Sequence, residues 1–270
     1  MANENILIFY KNSMVTATLT PSSTTGQFTA ENLKDSLRTK VWTTAGGVTA
    51  GSASLQMRFG TTQTFNAIIL ANHSWTSVPE KLNVVFSNAT GNWERISTRD
   101  VTGKFRVDLT GATTFAPSID TFGNQNVICK IFTATQYQCA MLDVDNTVGD
   151  WDLGQIWLGR YFEPDFQALE NYKETLVDPS IVQQTPGGQR YADIVPKHRE
   201  VAFTYTARTH GEWRNIQQMY HEVGISKDLF ISFDYTNYAS EMTLYGKFTS
   251  MVPMTFNKNR VMDFTFRESR

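Results

Sequence analysis

From Asp143 to Phe162 the chain reads DVDNTVGDWDLGQIWLGRYF, and no other stretch constrains the fold as much. Gln155, Trp157, Gly159 and Tyr161 alternate with Ile156, Leu158, Arg160 and Phe162. A repeat of two residues sends successive side chains to opposite faces, which is a β-strand with one face buried. Ile156, Leu158 and Phe162 share the apolar face. Arg160 interrupts it, so its charged head needs a partner or an open edge. Glu163-Pro164-Asp165 stops the strand, because proline has no N–H to give to a ladder. The strand closes one domain and hands the chain to another.

The residues before it read as about ten short strands separated by turns, the pattern of a sandwich or jelly roll. The apolar run ending at Tyr10 is a buried strand, and Met14 to Thr20 is its expected neighbour. Ser54 to Phe59 and Phe65 to Leu70 read as separate strands. Asn126 to Thr133 and Gln136 to Val144 read as a hairpin. Aromatic residues form 13% of the chain, which favours β-structure over helix bundles. The length of 270 residues suits two medium domains or one large β-domain with an appendage.

Beyond Phe166 the pattern weakens, and Pro179, Pro186, Gly187 and Gly188 mark a connector to about Asp193. Glu200 to Thr206 alternates again, with Val201, Phe203 and Tyr205 on one face. Then the period changes. Trp213, Ile216, Tyr220 and Val223 recur at helical spacing, Thr209 and Glu212 have the spacing of a capping box, and Gly224 stands at a C-terminal cap. These predict a helix over 212–223, followed by three strands. The expected class is mainly β: a sandwich or jelly roll over 1–165, a connector over 166–193, and a second β-sandwich with one flanking helix over 194–270.

Candidate chemistry is sparse. The net charge is −2, with no basic excess, so no nucleic-acid-specific binding is expected. No apolar run is long enough to cross a bilayer, so no membrane insertion is expected either. MANENILIFYKN does not read as a secretory signal. Cys129 and Cys139, placed on two adjacent strands, are expected as buried free thiols rather than a bridge. His73, His198, His210 and His221 lack metal-ligand spacing, and there is neither a nucleophile elbow nor a phosphate-binding glycine loop. Asp143, Asp145, Asp150 and Asp152 are the best metal candidates; the competing reading puts them on the solvent face of two strands. A carboxylate pair for sugar hydrolysis could come from Glu163 with Asp165 or from the same acidic run, but such a pair needs a defined separation across a cleft. The expectation is no metal, no cofactor, no catalytic residue and no enzyme.

Trp75 and Trp93 lie in polar loops with Asn72, His73, Asn88 and Asn92. An exposed aromatic plate beside amides stacks on a pyranose face while the amides take its hydroxyls. Asn72, His73, Trp75, Asn92 and Trp93 are therefore candidate glycan contacts; the competing reading has the tryptophans plugging the ends of the sandwich. The stripe of Trp213, Ile216, Tyr220 and Val223 reads as core, or else as a face that docks a neighbour.

The opening ENILIFYKN, the Ala30-Glu31-Asn32-Leu33 element before Trp42, the strand FNAIILANH and the closing Leu158-Gly159-Arg160 together resemble discoidin-type, galactose-binding-like jelly rolls, in the version found in tail proteins of bacteriophages. The part from about Asp178 is similar to the β-sandwich-plus-helix module of phage tail-tube and distal tail proteins, although the two modules stand here in the reverse of the usual order. The resemblance implies a structural virion protein of a phage tail, assembled in the host cytoplasm. It would close into a ring, expected as a hexamer, at the distal tail or baseplate and would contact other tail proteins. It also implies that the connector reaches a neighbouring copy, with Pro179, Gly187, Gly188, Arg190 and Tyr191 as candidate interface residues. The alternative is a carbohydrate-binding adhesion module contacting host glycans.

Overall fold

The structure, a computed structural model, describes residues 6–35, 40–44, 53–75, 77–88, 104–111, 126–145, 150–164, 172–207, 209–239, 242–249, 254–256 and 260–269. The protein is mainly β. It divides into two compact units: a first formed by Lys11–Phe162 with Ser232–Thr243, and a second formed by Met1–Tyr10, Glu163–Ile231 and Leu244–Arg270.

Strand β1 (Leu7–Asn12) leads into a 3-10 turn over Ser13–Thr16, where the Asn12 side chain accepts from the Met14 N–H at 3.1 Å. Then come β2 (Thr18–Pro21), a second 3-10 turn (Ala30–Lys34), β3 (Trp42–Thr43), β4 (Ala53–His73), β5 (Lys81–Ser87), β6 (Phe105–Asp108), β7 (Val127–Asp145) and β8 (Asp152–Phe162). The antiparallel sheet of the first unit runs β6-β5-β7-β4-β8, with β2 on β4 and β3 on β8.

Three expectations are corrected here. Met14 to Thr20 is not one strand beside β1; it is a 3-10 turn followed by β2, which pairs with β4. The two strands expected over Ser54–Leu70 are one strand of 21 residues, and the hairpin expected over 126–144 is one strand of 19. The polar middles of these strands looked like turns. Instead they face each other, with Gln63 opposite Tyr137, Thr64 opposite Gln136 and Phe65 opposite Thr135. Ladder pairing satisfies the backbone there, while Phe65 turns into the core and the polar side chains beside it stay at least partly exposed. Register shifts between Arg58 and Gln63, and between Phe65 and Ala67, bend the pair. Cys129 and Cys139 consequently sit on the same strand, both buried as free thiols, and burial pushes the Cys129 thiol up to about 12.

The core of this unit is aromatic. Trp42 meets Trp151 edge-on at 5.0 Å, and Phe65 stacks between Phe59 and Phe86 at 5.0 and 5.3 Å. The Ala30-Glu31-Asn32-Leu33 element closes one side of it. Leu33 is buried, Asn32 Nδ2 donates to the Val41 carbonyl at 2.7 Å, and the Trp42 indole donates to the Ser23 carbonyl at 3.0 Å. Ile156 and Leu158 of β8 are buried as expected, but so is Trp157 on the opposite face; Phe162 is half-buried and Arg160 exposed. Gly159 has a steric reason: a Cβ there would lie 2.2 Å from the Lys11 carbonyl oxygen.

The second unit holds β9 (Lys173–Val177), β10 (Ile181–Gln184), β11 (Arg190–Asp193), β12 (His198–Ala207), the helix α1 (His210–Val223) and β13 (Leu229–Ser232). The chain then makes the excursion Ser232–Thr243 that belongs to the first unit and carries the short helix α2 (Tyr235–Tyr238). It returns as β14 (Thr243–Phe248), β15 (Met254–Phe256) and β16 (Arg260–Glu268). The strand order here is β1-β13-β14-β16-β12-β9, with β15 on β16.

Val201, Phe203 and Tyr205 are buried on one face of β12, and Phe203 stacks on its cross-strand partner Phe264 at 5.2 Å. Helix α1 starts with the expected capping box: Glu212 N donates to Thr209 Oγ1 and Thr209 N to Glu212 Oε2, both at 3.2 Å. It ends at Gly224, whose φ is +58° and whose N–H donates to the Tyr220 carbonyl. Its buried stripe is Glu212, Ile216, Met219 and Val223, with Trp213 and Tyr220 half-buried beside it. The Glu212 carboxylate is held there by the Tyr205 hydroxyl at 2.6 Å. Strand β13 stops at Ser232, and Asp234 then caps α2 by accepting from the Asn237 N–H.

Candidate assembly arm and candidate glycan loop

The stretch expected as a connector carries three strands. β9 pairs with β12 as the outermost strand of its sheet, and β10 pairs with β11 in a two-stranded hairpin of its own. The hairpin arm is tied at both ends. At the base, Asp178 Oδ1 accepts from the Ser180 N–H at 3.0 Å, the Ser180 hydroxyl accepts from the Val195 N–H at 3.1 Å, and Lys197 lies 3.4 Å from Asp178. The Ser180 hydroxyl and N–H, with Lys197 behind them, hold the Asp178 carboxyl below its ordinary range. At the tip, Thr185 N donates to the Gln189 carbonyl at 2.8 Å, and Gly188 turns the chain at a φ of +84°.

All five expected interface residues fall on this arm. Pro179 leads into β10, Gly187 and Gly188 form the tip, and Arg190 and Tyr191 lie on β11. The sequence reading missed Ile181, Val182, Gln183, Asp193 and Ile194. The signal was present: Ile181-Val182 and Tyr191-Ala192 flank a Pro-Gly-Gly turn, which is strand, turn, strand. Both faces of the hairpin are open, with Ile181 56%, Val182 65%, Tyr191 60% and Ile194 83% exposed. Cross-strand pairing puts Ile181, Gln183, Tyr191 and Asp193 on one face and Val182, Gln184, Arg190 and Ala192 on the other. The first face forms a half-open groove of about 300 Å³, backed by Ala192. The Tyr191 hydroxyl is fixed at 3.0 Å from Gln189 Oε1.

In the candidate glycan loop, Trp75 follows the competing reading. Trp75 is only 2% exposed: it stacks on His73 at 4.8 Å and leans on Trp151 at 5.1 Å. Its ring plugs the end of the core and offers no plate to a sugar. Burial lowers the His73 imidazole to about 4, so it is neutral at neutral pH. Asn72 is exposed and adopts a φ of +58°, its N–H donating to the Asn126 carbonyl at 2.8 Å while Asn126 Nδ2 donates to the His73 carbonyl at 2.7 Å. Asn72 lies directly over Gly154, where a Cβ would come within 2.8 Å of it. Asn92 and Trp93 lie outside the described residues.

The acidic run does not converge. Asp143 is buried and ion-paired to Lys81, which corrects its assignment to a solvent face, and Asp152 accepts from Thr43 Oγ1 at 2.6 Å. Among the described residues no group of three or more His, Cys, Asp or Glu side chains is placed to hold a metal ion. Glu163 is exposed, and Asp165 lies outside the described residues.

No protein-family model and no curated protein sequence matches the chain. Solved structures match in part. Chitosan-binding module 1 of a chitosanase/glucanase from Paenibacillus sp. IK-5 is 22% identical at a TM-score of 0.40, over 56% of this chain and 99% of that one. Module 2 of the same enzyme, solved with chitotriose, is 17% identical at 0.40, over 55% and 100%. A fucose-binding module from Streptococcus pneumoniae is 11% identical at 0.38, over 56% and 99%.

Proposed function

We propose that this chain is a structural protein of a bacteriophage tail that assembles with copies of itself, and that the hairpin arm over 178–197 makes the contact. The observation that carries this reading is an ordered hairpin whose apolar side chains lie open on both faces. A two-stranded hairpin alone in water is marginal, since it buries too little to offset the entropy of ordering it. Ile181, Val182, Tyr191 and Ile194 have the composition of an interface rather than of a solvated loop. The resemblance of the sequence to tail proteins supplies the context: a ring at the distal tail or baseplate, with other tail proteins as further partners. The arm does no chemistry in this reading; its role is adhesion and register.

The test is light scattering on the intact protein and on a variant with residues 181–193 replaced by a short Gly-Ser turn. The intact chain is expected as a closed oligomer and the variant as a folded monomer. An unchanged oligomer mass in the variant would remove the arm from the assembly.

The second reading is a carbohydrate-binding module contacting host glycans. Asn72 keeps an exposed amide at the end of the first unit, but the Trp75 ring is covered, so such a site has to use other side chains. Glycan-array binding by the intact protein, lost in Asn72→Ala, would support it; no binding to any glycan would end it.

A further inference from the structure

The two faces of the arm are chemically different, and the difference dictates how copies meet. The groove face carries Asp193 as its one charge; the opposite face carries Arg190 as its one charge. Like faces repel and unlike faces attract. On the groove face, the row of Gln183 and Tyr191 is two residues from the row of Ile181 and Asp193, about 7 Å along the strands. Between them lies the groove of about 300 Å³, wide enough for one row of side chains from another sheet face.

We propose, resting on the assembly reading above, that the arms stack head to tail: the Gln184–Arg190 row of one copy seats in the groove of the next, with Arg190 between Tyr191 and Asp193. A guanidinium is suited to that slot. Its plane lies against an aromatic ring while its edge donates two parallel hydrogen bonds to a carboxylate. Gln184, beside Arg190 in the same row, enters between Ile181 and Gln183. The hydrogen bonds at base and tip restrict the hairpin before contact and so reduce the ordering entropy lost on binding.

The symmetry follows. A two-fold contact joins a patch to its own copy, which here would bring together two groove faces whose one charge is Asp193, or two opposite faces whose one charge is Arg190. A groove-to-back contact leaves one groove and one back free at the ends, so the array grows until rotation closes it. The partner is thus a further copy of this chain, joined in one direction around a ring.

Charge reversal tests this. Asp193→Arg alone puts positive charge on both faces, and Arg190→Asp alone puts negative charge on both. Each is expected to weaken the contact by about ten- to a hundred-fold and to leave monomers in sedimentation velocity, with an unchanged circular-dichroism spectrum. The double variant, D193R with R190D, restores opposite charges and is expected to reassemble. Single variants that assemble like the parent, or a double variant that stays monomeric, overturn the head-to-tail contact. If the Gly-Ser replacement dissolves the oligomer while both reversals leave it whole, this inference fails and the assembly reading stands. A parent chain that is monomeric at its highest soluble concentration overturns both.

Discussion

Two aromatic residues in polar, turn-rich surroundings have opposite fates in this molecule. Trp75, flanked by Asn72, His73 and Ser77, is covered by His73 and Trp151. Tyr191, flanked by Gln189, Arg190 and Asp193, stands open on a hairpin. The comparison teaches that the polarity of neighbours along the chain does not decide exposure. What decides it is whether the sheet brings something over the ring. Trp151 arrives over Trp75 at the start of β8, whereas nothing among the described residues arrives over Tyr191.

The comparison breaks first at the covered end. Trp151→Ala removes a fully buried ring that touches both Trp42 and Trp75, and is expected to cost about 3–5 kcal/mol in urea unfolding. A loss under about 1 kcal/mol would mean that this end is not packed as described. Acid is the next lever. The His73 imidazole has its value lowered from 6.5 to about 4 by burial, so the unfolded chain binds its proton first as pH falls. The stability it contributes is fully present above 6.5 and is lost as pH drops from 6.5 toward 4, by up to roughly 3 kcal/mol. A stability–pH profile should flatten in that window for His73→Gln; an identical profile would deny the burial.

Smaller effects sharpen the contrast. Gly159→Ala sets a Cβ against the Lys11 backbone and is expected to cost about 1–3 kcal/mol, read as a lowered Tm. Thr209→Ala removes half of the α1 capping box, for about 1 kcal/mol. Tyr191→Ala is expected to change monomer stability by less than about 0.5 kcal/mol and yet to weaken self-association. A large stability loss in Tyr191→Ala would make the arm a piece of core and cancel the comparison.

Legibility in the sequence followed the range of the interactions. Helix α1, its capping box and β12 are set by residues within a few positions of one another, and the sequence placed them closely. β4 was cut in two because Gly60-Thr61-Thr62 reads as a turn; these residues span the register shift between Arg58 and Gln63, and only the renewed pairing of Gln63 with Tyr137 shows that the strand continues, as does the partner strand β7. For Trp75 the sequence left a sugar plate and a core plug both open, and what decides for the plug includes Trp151, distant in the chain. The arm was half legible. Pro, Gly and aromatic residues located it, but its two faces exist only once Ile181 is set opposite Asp193 and Gln184 opposite Arg190.

The most direct test of the central claim is amide hydrogen exchange over 181–193 as a function of protein concentration. If copies cover the arm, its amides gain protection as concentration rises while those of β12 and α1 stay constant. Arm amides that exchange equally fast at every concentration would show that nothing seats there, and would contradict the account.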